Sequence, residues 1–329
     1  MKATAFANAN IALVKYWGKR DNALILPYNG SISMTCDGLE GKTTVEFSKE
    51  YSNDIVIIND EELKKDEKDF LGHLERIRKM AGIKDKAKVV CEINFPVAAG
   101  LASSAAGLAS GTAAAARAAG LDMDKKDLSI LTRICSGSAC RSIFEGFVEW
   151  KRGKNSDGTD SYAEIIAEKG HWPDFRMIAT VVSFKKKPVS SRAGMAQTVA
   201  TSPYYKGWLD SVNEDLEKIR KGIKEKNFGL VGETAEYNCL KMHATMMTTR
   251  PPIIYWLPGT MEIMQWVRSI RESGTPCYFT IDAGPQVKVM CLERDMNSIN
   301  KELGSLEGVM ETIICRPGDG VKYSDKHLF

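Results

Sequence analysis

The chain has 329 residues, of which 43% are hydrophobic and 26% are charged, so it predicts a globular protein of one large domain or two moderate ones. Lysine and arginine total 45 against 42 for aspartate and glutamate, and a net charge of +3 gives no reason to expect nucleic acid as a partner. Eight scattered cysteines without CxxC spacing, and four histidines without HxxxH or HExxH spacing, argue against a zinc site and for reduced, buried thiols in a cytoplasmic protein.

The N-terminal segment predicts a β-strand that ends in a basic group. The residues TAFANANIALVKYWG are apolar and β-capable, and no long apolar stretch follows Lys2 as a secretory signal would require. Lys15 and Lys19 lie four residues apart around the hydroxyl of Tyr16, so a small anionic ligand can be held from two directions. A solvated basic turn explains the same residues.

Strand and helix signals alternate through the next part of the chain. The segment TTVEFSKEYSNDIVIIN predicts a hairpin, and AKVVCEINFPV predicts a strand that ends at a proline. Between them, DEKDFLGHLERIRKMAG predicts a helix, because Phe70, Leu74 and Ile77 share one face and Gly82 suits its C-terminal cap.

A run of small residues, FPVAAGLASSAAGLASGTAAAARAAG, follows that strand directly. Alanine, glycine and serine give too little transfer free energy for a membrane span, so the order is strand, glycine-bearing loop and alanine-rich helix. Gly100, Ala102 and Gly107 leave the backbone N–H groups accessible to phosphate, and Ser103 and Ser104 add hydroxyls for phosphate or Mg²⁺. The segment has neither the GxxxxGK[ST] nor the GxGxxG pattern, and close packing of a helix on a sheet explains it as well.

The segment SGSACR brings Ser136, Ser138 and Arg141 together in a glycine-bearing stretch. Arginine presents a planar fork that suits a carboxylate, whereas lysine is a point charge. By itself this is a weak signal. The polar stretch KRGKNSDGTDSY farther along predicts an exposed turn.

The middle of the chain predicts a change of domain near residue 185. FRMIATVVSF predicts a buried strand, and in the loop KKKPVSSR after it Ser191 and Arg192 suit an oxyanion or a diphosphate. We therefore predict domains over 1–185 and 186–329. The second half predicts helices over WLDSVNEDLEKIRKGIKEKN and LVGETAEYNCLKMHATMM and strands over CYFTIDAGPQVKVMCL and ETIICRPG.

Asp282 follows the strand CYFT and precedes a glycine-proline turn. A carboxylate at a rigid strand end is a candidate general base, and it is equally a candidate turn-capping residue.

In this order the segments resemble the diphosphomevalonate decarboxylase family of the GHMP kinase superfamily. The matching segments run from residue 8 to about 290 and are NANIALVKYWGKRD, NGSISMT, FPVAAGLASSAAGLA, SGSACRSIFEGFVEW, VSSRAGM with TSPYYKGWL, LKMHATMMTTRPPIIYWLPGT and YFTIDAGP. KYWGK with SGSACRS and DAGP is specific to the decarboxylase branch, whereas the glycine-serine loop marks the superfamily.

The resemblance implies an α+β protein with the two-lobed GHMP kinase fold. Its N-terminal lobe would be ribosomal-S5-like, with the glycine- and serine-rich phosphate loop, and its C-terminal lobe would be ferredoxin-like. The implied reaction is the ATP-dependent decarboxylation of mevalonate 5-diphosphate to isopentenyl diphosphate, with ADP, phosphate and CO₂ released, in the mevalonate pathway of isoprenoid biosynthesis. A homodimer that binds no membrane or nucleic acid is also implied.

Roles for individual residues follow from the same resemblance. Asp282 would orient or deprotonate the C3 hydroxyl, with Lys15 near it and the transferring phosphoryl group. Arg141 would hold the C1 carboxylate, supported by Ser136 and Ser138.

The remaining matches would bind phosphates. The residues implied for the substrate diphosphate are Tyr16, Lys19, Ser191 and Arg192. Those implied for the ATP phosphates are Asn10, Gly100, Ala102, Ser103, Ser104 and Gly107. Mg²⁺ would bridge the ATP phosphates, with the hydroxyl of Ser103 or Ser104 as its candidate protein contact.

Two segments depart from the family pattern. The usual PTNSSIS reads PYNGSIS here, and DAGPN reads DAGPQ, with Gln286 as the changed residue. Related enzymes decarboxylate mevalonate 5-phosphate, or phosphorylate a small alcohol without decarboxylation. The complete set Lys15, Lys19, Arg141, Arg192 and Asp282 favours the diphosphate.

Overall fold

The computed structural model describes residues 1–62, 68–96 and 103–329, with the side chains of residues 68 and 69 left out. Gly100 and Ala102, predicted to contact ATP, lie outside the described residues. The helices are α1 (Lys68–Ala81), α2 (Ser103–Ala118), α3 (Lys125–Cys135), α4 (Ser191–Thr201), α5 (Tyr205–Glu225), α6 (Phe228–Met247), α7 (Pro258–Glu272) and α8 (Glu293–Leu303), with a 3₁₀ helix over Ser138–Ile143. The strands are β1 (Lys2–Val14), β2 (Lys19–Asp21), β3 (Leu26–Pro27), β4 (Ser31–Ser48), β5 (Ile55–Ile58), β6 (Glu61–Glu62), β7 (Lys86–Ile93), β8 (Phe147–Trp150), β9 (Ala163–Ala167), β10 (Phe175–Val181), β11 (Tyr278–Ile281), β12 (Val287–Leu292), β13 (Glu311–Pro317) and β14 (Lys322–Ser324).

The long strand β4 connects the two parts of the sheet. Among the described residues, twelve strands form one sheet, in which β4 pairs with β1, β7 and β8 on the N-terminal side. On the other side β13 pairs with β4 only at Asp37 and Cys36, and β10, β12 and β11 follow it in that order. The α+β class predicted from the sequence is therefore confirmed, whereas the division at residue 185 stays a prediction.

The predicted hairpin over TTVEFSKEYSNDIVIIN is wrong. Its two arms are strands, but both pair with β7, which lies between them and runs antiparallel to β4 and parallel to β5. The connection over residues 49–54 is long enough to pass over one strand position. Strand β7 is therefore an inner strand of the sheet and has a paired strand on each side.

Helix α2 packs on the sheet through its small residues. The alanines at 105, 106, 109 and 113–116 are buried, and the hydroxyl groups of Thr43 and Ser110 are 2.7 Å apart across the contact. A Cβ atom added to Gly41 would lie 3.1 Å from the backbone of Ala106. The close-packing interpretation of this helix is therefore confirmed from Ser103 onward.

Two strand ends meet where the parts of the sheet approach each other. The hydroxyl of Thr280, in β11, donates to the main-chain oxygen of Ala12, near the end of β1, at 3.3 Å. The residues just beyond these strands, Lys15 and Asp282, are thereby brought together although 267 positions separate them in the chain. In the described part of the chain, no helix combines the length and the hydrophobicity that crossing a bilayer requires.

Candidate active site

Lys15 and Asp282 form an ion pair at the meeting point of β1 and β11. The ammonium nitrogen of Lys15 donates to Oδ1 of Asp282 at 2.7 Å and to the main-chain oxygen of Ala12 at 2.8 Å. Lys15 is 1% exposed, whereas the Asp282 side chain is 24% exposed, so the carboxylate is the partner that a ligand can reach. The structure thus brings together the two residues predicted to act on the substrate hydroxyl.

A second ammonium group, which the sequence did not reveal, lies on the other side of Asp282. Nζ of the fully buried Lys288 is 3.3 Å from Oδ2 of Asp282. Burial alone would raise the pKa of Asp282, but the charges of Lys15 and Lys288 hold it well below its ordinary value. A lone lysine within the apolar strand VKVMCL, directly after DAGPQ, was the available signal.

The charge state of Asp282 decides what it can do to a hydroxyl group. It is fully ionised near neutral pH, with Lys15 beside its Oδ1 and Lys288 beside its Oδ2. A carboxylate with so low a pKa is a weak base, yet it accepts and orients a hydroxyl hydrogen well. Such a carboxylate is therefore better suited to orienting a hydroxyl than to deprotonating it, and proton transfer would become favourable only as the hydroxyl oxygen forms a bond to an electrophile.

Arg141 is a buried cation whose hydrogen-bond partners among the described residues are all uncharged. It is 2% exposed, and its Nε donates to Oδ1 of Asn10 at 3.1 Å and to the hydroxyl of Ser33 at 2.8 Å. Its Nη1 donates to the hydroxyl of Ser31 at 2.6 Å. Burial lowers the pKa of the guanidinium, and no carboxylate of the described residues forms an ion pair with it. Buried charges are usually paired, so this one awaits an anionic group of a ligand.

Asn10, predicted to bind the nucleotide, contacts Arg141 and its 3₁₀ helix instead. Its Nδ2 donates to the main-chain oxygen of Ser138 at 2.9 Å and to the hydroxyl of Ser142 at 2.8 Å. These bonds hold the guanidinium and the helix around it in one arrangement, while the assignment of Asn10 to the nucleotide stays a prediction. Ser136 caps α3, and both it and Ser138 are partly exposed beside Arg141.

Tyr16 lies between Arg141 and a second group of positive charges. Burial raises the pKa of its phenol, and the charges of Arg141 and Arg192 oppose the rise. Its hydroxyl is buried without a hydrogen-bond partner, and its ring packs edge-to-face on Trp150 with 4.7 Å between centroids. A Cβ atom on Gly137 would lie 3.0 Å from the Tyr16 ring, so glycine is needed there for the close approach.

Lys19 and Arg192, both predicted, line one cavity together with Arg76, which the sequence reasoning missed. The cavity has a volume of about 410 Å³, and we call it the cationic cavity after these three side chains. His73 lines it too, with Nδ1 buried and without a partner. Ser191 lies beside it at the start of α4 and accepts a hydrogen bond from Lys187 at 2.6 Å. The helix motif HLERIRK gave no reason to single out Arg76 from its neighbours.

The beginning of α2 carries the described part of the predicted phosphate loop. The helix starts at Ser103, which is buried, and Ser104 beside it is exposed. The first-turn N–H groups of a helix have no partner within the helix and suit phosphate oxygens. Gly107 serves packing as well, because a Cβ atom there would lie 3.3 Å from Ile93 of β7.

Lys187 is a half-buried lysine whose charge depends on pH near the physiological range. Its ammonium group donates to the main-chain oxygen of Ala283 at 2.7 Å. Its pKa is lowered to about 8, chiefly by burial; Asp282 opposes the shift and Lys288 adds to it. The native chain therefore holds this proton less tightly than the unfolded chain does. From pH 8 to 10.5 the unfolded state binds more protons, so stability rises with pH through this group.

We expect the substitution Lys187→Met to be most favourable for stability below pH 8, where the wild type buries an ammonium ion. The difference in free energy of unfolding, variant minus wild type, should fall as the pH rises toward 10.5. Urea denaturation of both proteins across this range measures it. The exposed neighbour Lys186→Met is the control and should give a flat difference. A flat difference for Lys187→Met as well would contradict the prediction.

No cluster of three or more histidine, cysteine, aspartate or glutamate side chains suited to a metal ion occurs in residues 1–62, 68–96 and 103–329.

The comparisons with known proteins cover nearly the whole chain. The family model described as diphosphomevalonate decarboxylase-like N-terminal domain matches residues 7–163, and that of the mevalonate 5-diphosphate decarboxylase C-terminal domain matches residues 177–315. Diphosphomevalonate decarboxylase from Bos taurus is 39% identical over 315 residues, which is 88% of this chain and 76% of the bovine protein.

Solved structures match the fold equally well. A structure of MDDEF in complex with MVAPP, AMPPCP and magnesium superposes with a TM-score of 0.93 at 40% identity, covering 99% of both chains. A structure of mevalonate diphosphate decarboxylase from Enterococcus faecalis gives a TM-score of 0.92 at 39% identity, again over 99% of both chains. The two-lobed fold predicted from the sequence is thereby confirmed.

Proposed function

The chain belongs to the diphosphomevalonate decarboxylase family, and on that premise we propose that it decarboxylates mevalonate 5-diphosphate to isopentenyl diphosphate with release of ADP, phosphate and CO₂. One observation carries the proposal: the ionised Asp282, paired with Lys15, lies in the same site as a buried Arg141 that has no anionic partner among the described residues. This arrangement supplies a group that orients a hydroxyl and a separate group that binds a carboxylate.

ATP and Mg²⁺ are the cofactors of the reaction. The phosphoryl group of ATP converts the tertiary C3 hydroxyl, a poor leaving group, into a phosphate. In this chain the first-turn N–H groups of α2 and the hydroxyls of Ser103 and Ser104 would hold the nucleotide phosphates, because small side chains leave their approach open. Mg²⁺ would be held mainly by those phosphates, which agrees with the lack of a carboxylate cluster among the described residues.

Asp282 and Lys15 act on the C3 hydroxyl. The carboxylate of Asp282 accepts the hydroxyl hydrogen and aims the oxygen for in-line transfer, while Lys15 remains paired with it. The ammonium group of Lys15 stabilises negative charge that develops on the transferring group. Once the phosphate leaves, positive character at C3 draws the electron pair of the bond to C1, and CO₂ departs as the alkene forms.

Arg141 and the cationic cavity bind the two ends of the substrate. The guanidinium, held by Asn10, Ser31 and Ser33, binds the C1 carboxylate and keeps it away from the hydroxyl that reacts. The diphosphate at the other end fits the cationic cavity, with Tyr16 between the two sites. The basic lining of this cavity suits a phosphorylated group, and the family match supports the diphosphate as substrate.

A side-by-side assay with ATP and mevalonate, its 5-phosphate or its 5-diphosphate tests this function. With the diphosphate we expect CO₂ and ADP to appear in equal amounts, because one phosphoryl transfer accompanies each decarboxylation. ADP without CO₂ would indicate a plain kinase. Turnover of the monophosphate that equals or exceeds that of the diphosphate would overturn the substrate assignment.

We also propose a cytoplasmic homodimer, which the family resemblance implies. All eight cysteines are buried and form no disulfide, as expected in a reducing compartment. Light scattering of the purified protein at several concentrations measures the oligomeric state, and a molecular mass near 36.4 kDa at all of them would refute the dimer.

A further inference from the structure

The main chain of Lys15 is held by side chains and not by the sheet. Lys15 lies one residue beyond the end of β1, where the pairing with β4 stops at Val14. Its N–H donates to Oδ1 of Asn238 at 2.8 Å, and its C=O accepts from Nδ2 of Asn29 at 2.8 Å. The direction in which the catalytic ammonium group points therefore depends on two amide side chains.

The orientation of the Asn238 amide is fixed by a second hydrogen bond, to Asp215. Asn238 is fully buried in α6, and its Nδ2 donates to Oδ2 of Asp215, in α5, at 2.7 Å. Asp215 also pairs with the ammonium group of Lys241 at 2.6 Å. Because the carboxylate can only accept, the amide has one allowed orientation, and its oxygen faces Lys15.

The next residue of α6 contacts the other partner of the catalytic ion pair. The main-chain N–H of Ile281, which precedes Asp282, donates to the sulfur of Cys239 at 3.1 Å. Two consecutive residues of α6, Asn238 and Cys239, thus hold the backbone of Lys15 and the backbone next to Asp282. These two contacts help to determine the distance between the side chains of Lys15 and Asp282.

We propose that Asn238 is a positioning residue that holds Lys15 in place against Asp282, with Asp215 fixing its amide. The proposal rests on the function stated above for these two groups. Loss of the Asn238 contact frees the Lys15 N–H and lets the segment after β1 shift, which weakens the alignment needed for phosphoryl transfer. Substrate affinity depends chiefly on Arg141 and the cationic cavity, so it should change little.

Exchange of the side chains at positions 238 and 215 gives a specific test. In the double variant N238D/D215N, the carboxylate at 238 still accepts from Lys15 and the amide at 215 can donate to it, whereas N238D alone places two carboxylates in contact. We expect N238A and N238D to lower kcat about ten- to a hundredfold, with KM within about twofold of wild type. The double variant should recover kcat to within about a factor of three of wild type.

Thr245→Ala is the matched control, because Thr245 is a buried polar residue of the same helix that bonds only to the helix backbone, at Met242. All variants are assayed at a temperature at which circular dichroism shows them folded. If N238A loses no more kcat than T245A, or if the double variant folds but does not recover, the proposal is wrong.

Hydrogen exchange gives a measurement independent of turnover. The peptide that contains the Lys15 amide should exchange faster in N238A than in wild type and return toward the wild-type rate in the double variant. An inactive wild type would refute the proposed function while this comparison still decides whether Asn238 holds Lys15. Equal exchange in wild type and N238A would overturn the inference.

Discussion

Replacement of Asp282 by asparagine is expected to lower kcat by about a thousandfold or more and to leave KM for mevalonate 5-diphosphate within a few fold of wild type. The amide keeps the size of the side chain but removes the charge that faces Lys15 at 2.7 Å and Lys288 at 3.3 Å. It can no longer orient and accept the hydroxyl hydrogen as a carboxylate does. The groups proposed to bind the substrate lie elsewhere, at Arg141 and in the cationic cavity, so we expect binding to persist.

Steady-state release of ADP and CO₂ measures kcat, and calorimetric titration of the variant with substrate measures binding directly. Glu236→Gln is the matched control, because Glu236 is a buried carboxylate that pairs with Arg271 at 2.9 Å and not with Lys15 or Lys288. It should reduce stability while keeping turnover. A D282N enzyme that retains a tenth of the wild-type rate would show that another group acts on the hydroxyl.

The D282N variant also bears on folding, because it removes the negative charge that pairs with the buried Lys15 and Lys288. Removal of one partner from a buried ion pair destabilises by about 3–5 kcal/mol, and the partial exposure of Asp282 places this site at or below the lower limit. Activity should therefore be expressed per folded molecule.

The sequence predicted those parts of the site that belong to local patterns. Asp282 was found because a carboxylate after an apolar strand and before a glycine-proline turn marks a strand end, which the structure confirms. The helix with Phe70, Leu74 and Ile77 on one face was found because the period of a helix is visible in a single segment.

Contacts between segments that are far apart in the chain could not be predicted from local sequence patterns. In the sequence Lys288 is only a polar residue within a strand, and the pairing of Lys288 with Asp282 becomes visible only in the folded structure. Asn238 contacts Lys15 across 223 positions of the chain, and no local period encodes that contact. The hairpin prediction was wrong for a related reason, since the pattern of each arm is correct but the choice of strand partner is a property of the whole sheet.

The buried charge of Arg141 lowers the stability of the unliganded protein and at the same time favours the binding of a carboxylate. A guanidinium whose described hydrogen-bond partners are the amide of Asn10 and the hydroxyls of Ser31 and Ser33, with the charge of Asp282 outside hydrogen-bond contact, is poorly compensated for the water it has lost. Burial accordingly lowers its pKa. The unliganded protein is destabilised by this charge, and a bound carboxylate removes the penalty, so the same arrangement favours the substrate.

We therefore expect Arg141→Gln to leave the free energy of unfolding of the unliganded protein equal to or above that of wild type, while kcat/KM falls about a hundredfold or more. Arg133→Gln is the matched control. Arg133 is also fully buried, but it donates to the main-chain oxygens of Leu24, Gly158 and Ser161, so its loss should destabilise the fold and spare turnover per folded molecule.

A comparison of two ligands separates carboxylate recognition by Arg141 from a general effect on the site. Isopentenyl diphosphate has the diphosphate of the substrate but no carboxylate. It should bind to wild type and to R141Q with similar affinity, because the cationic cavity is unchanged, whereas mevalonate 5-diphosphate should lose affinity for R141Q. Equal losses for both ligands would mean that Arg141 shapes the site as a whole, and the assignment of the carboxylate to its guanidinium would then be wrong.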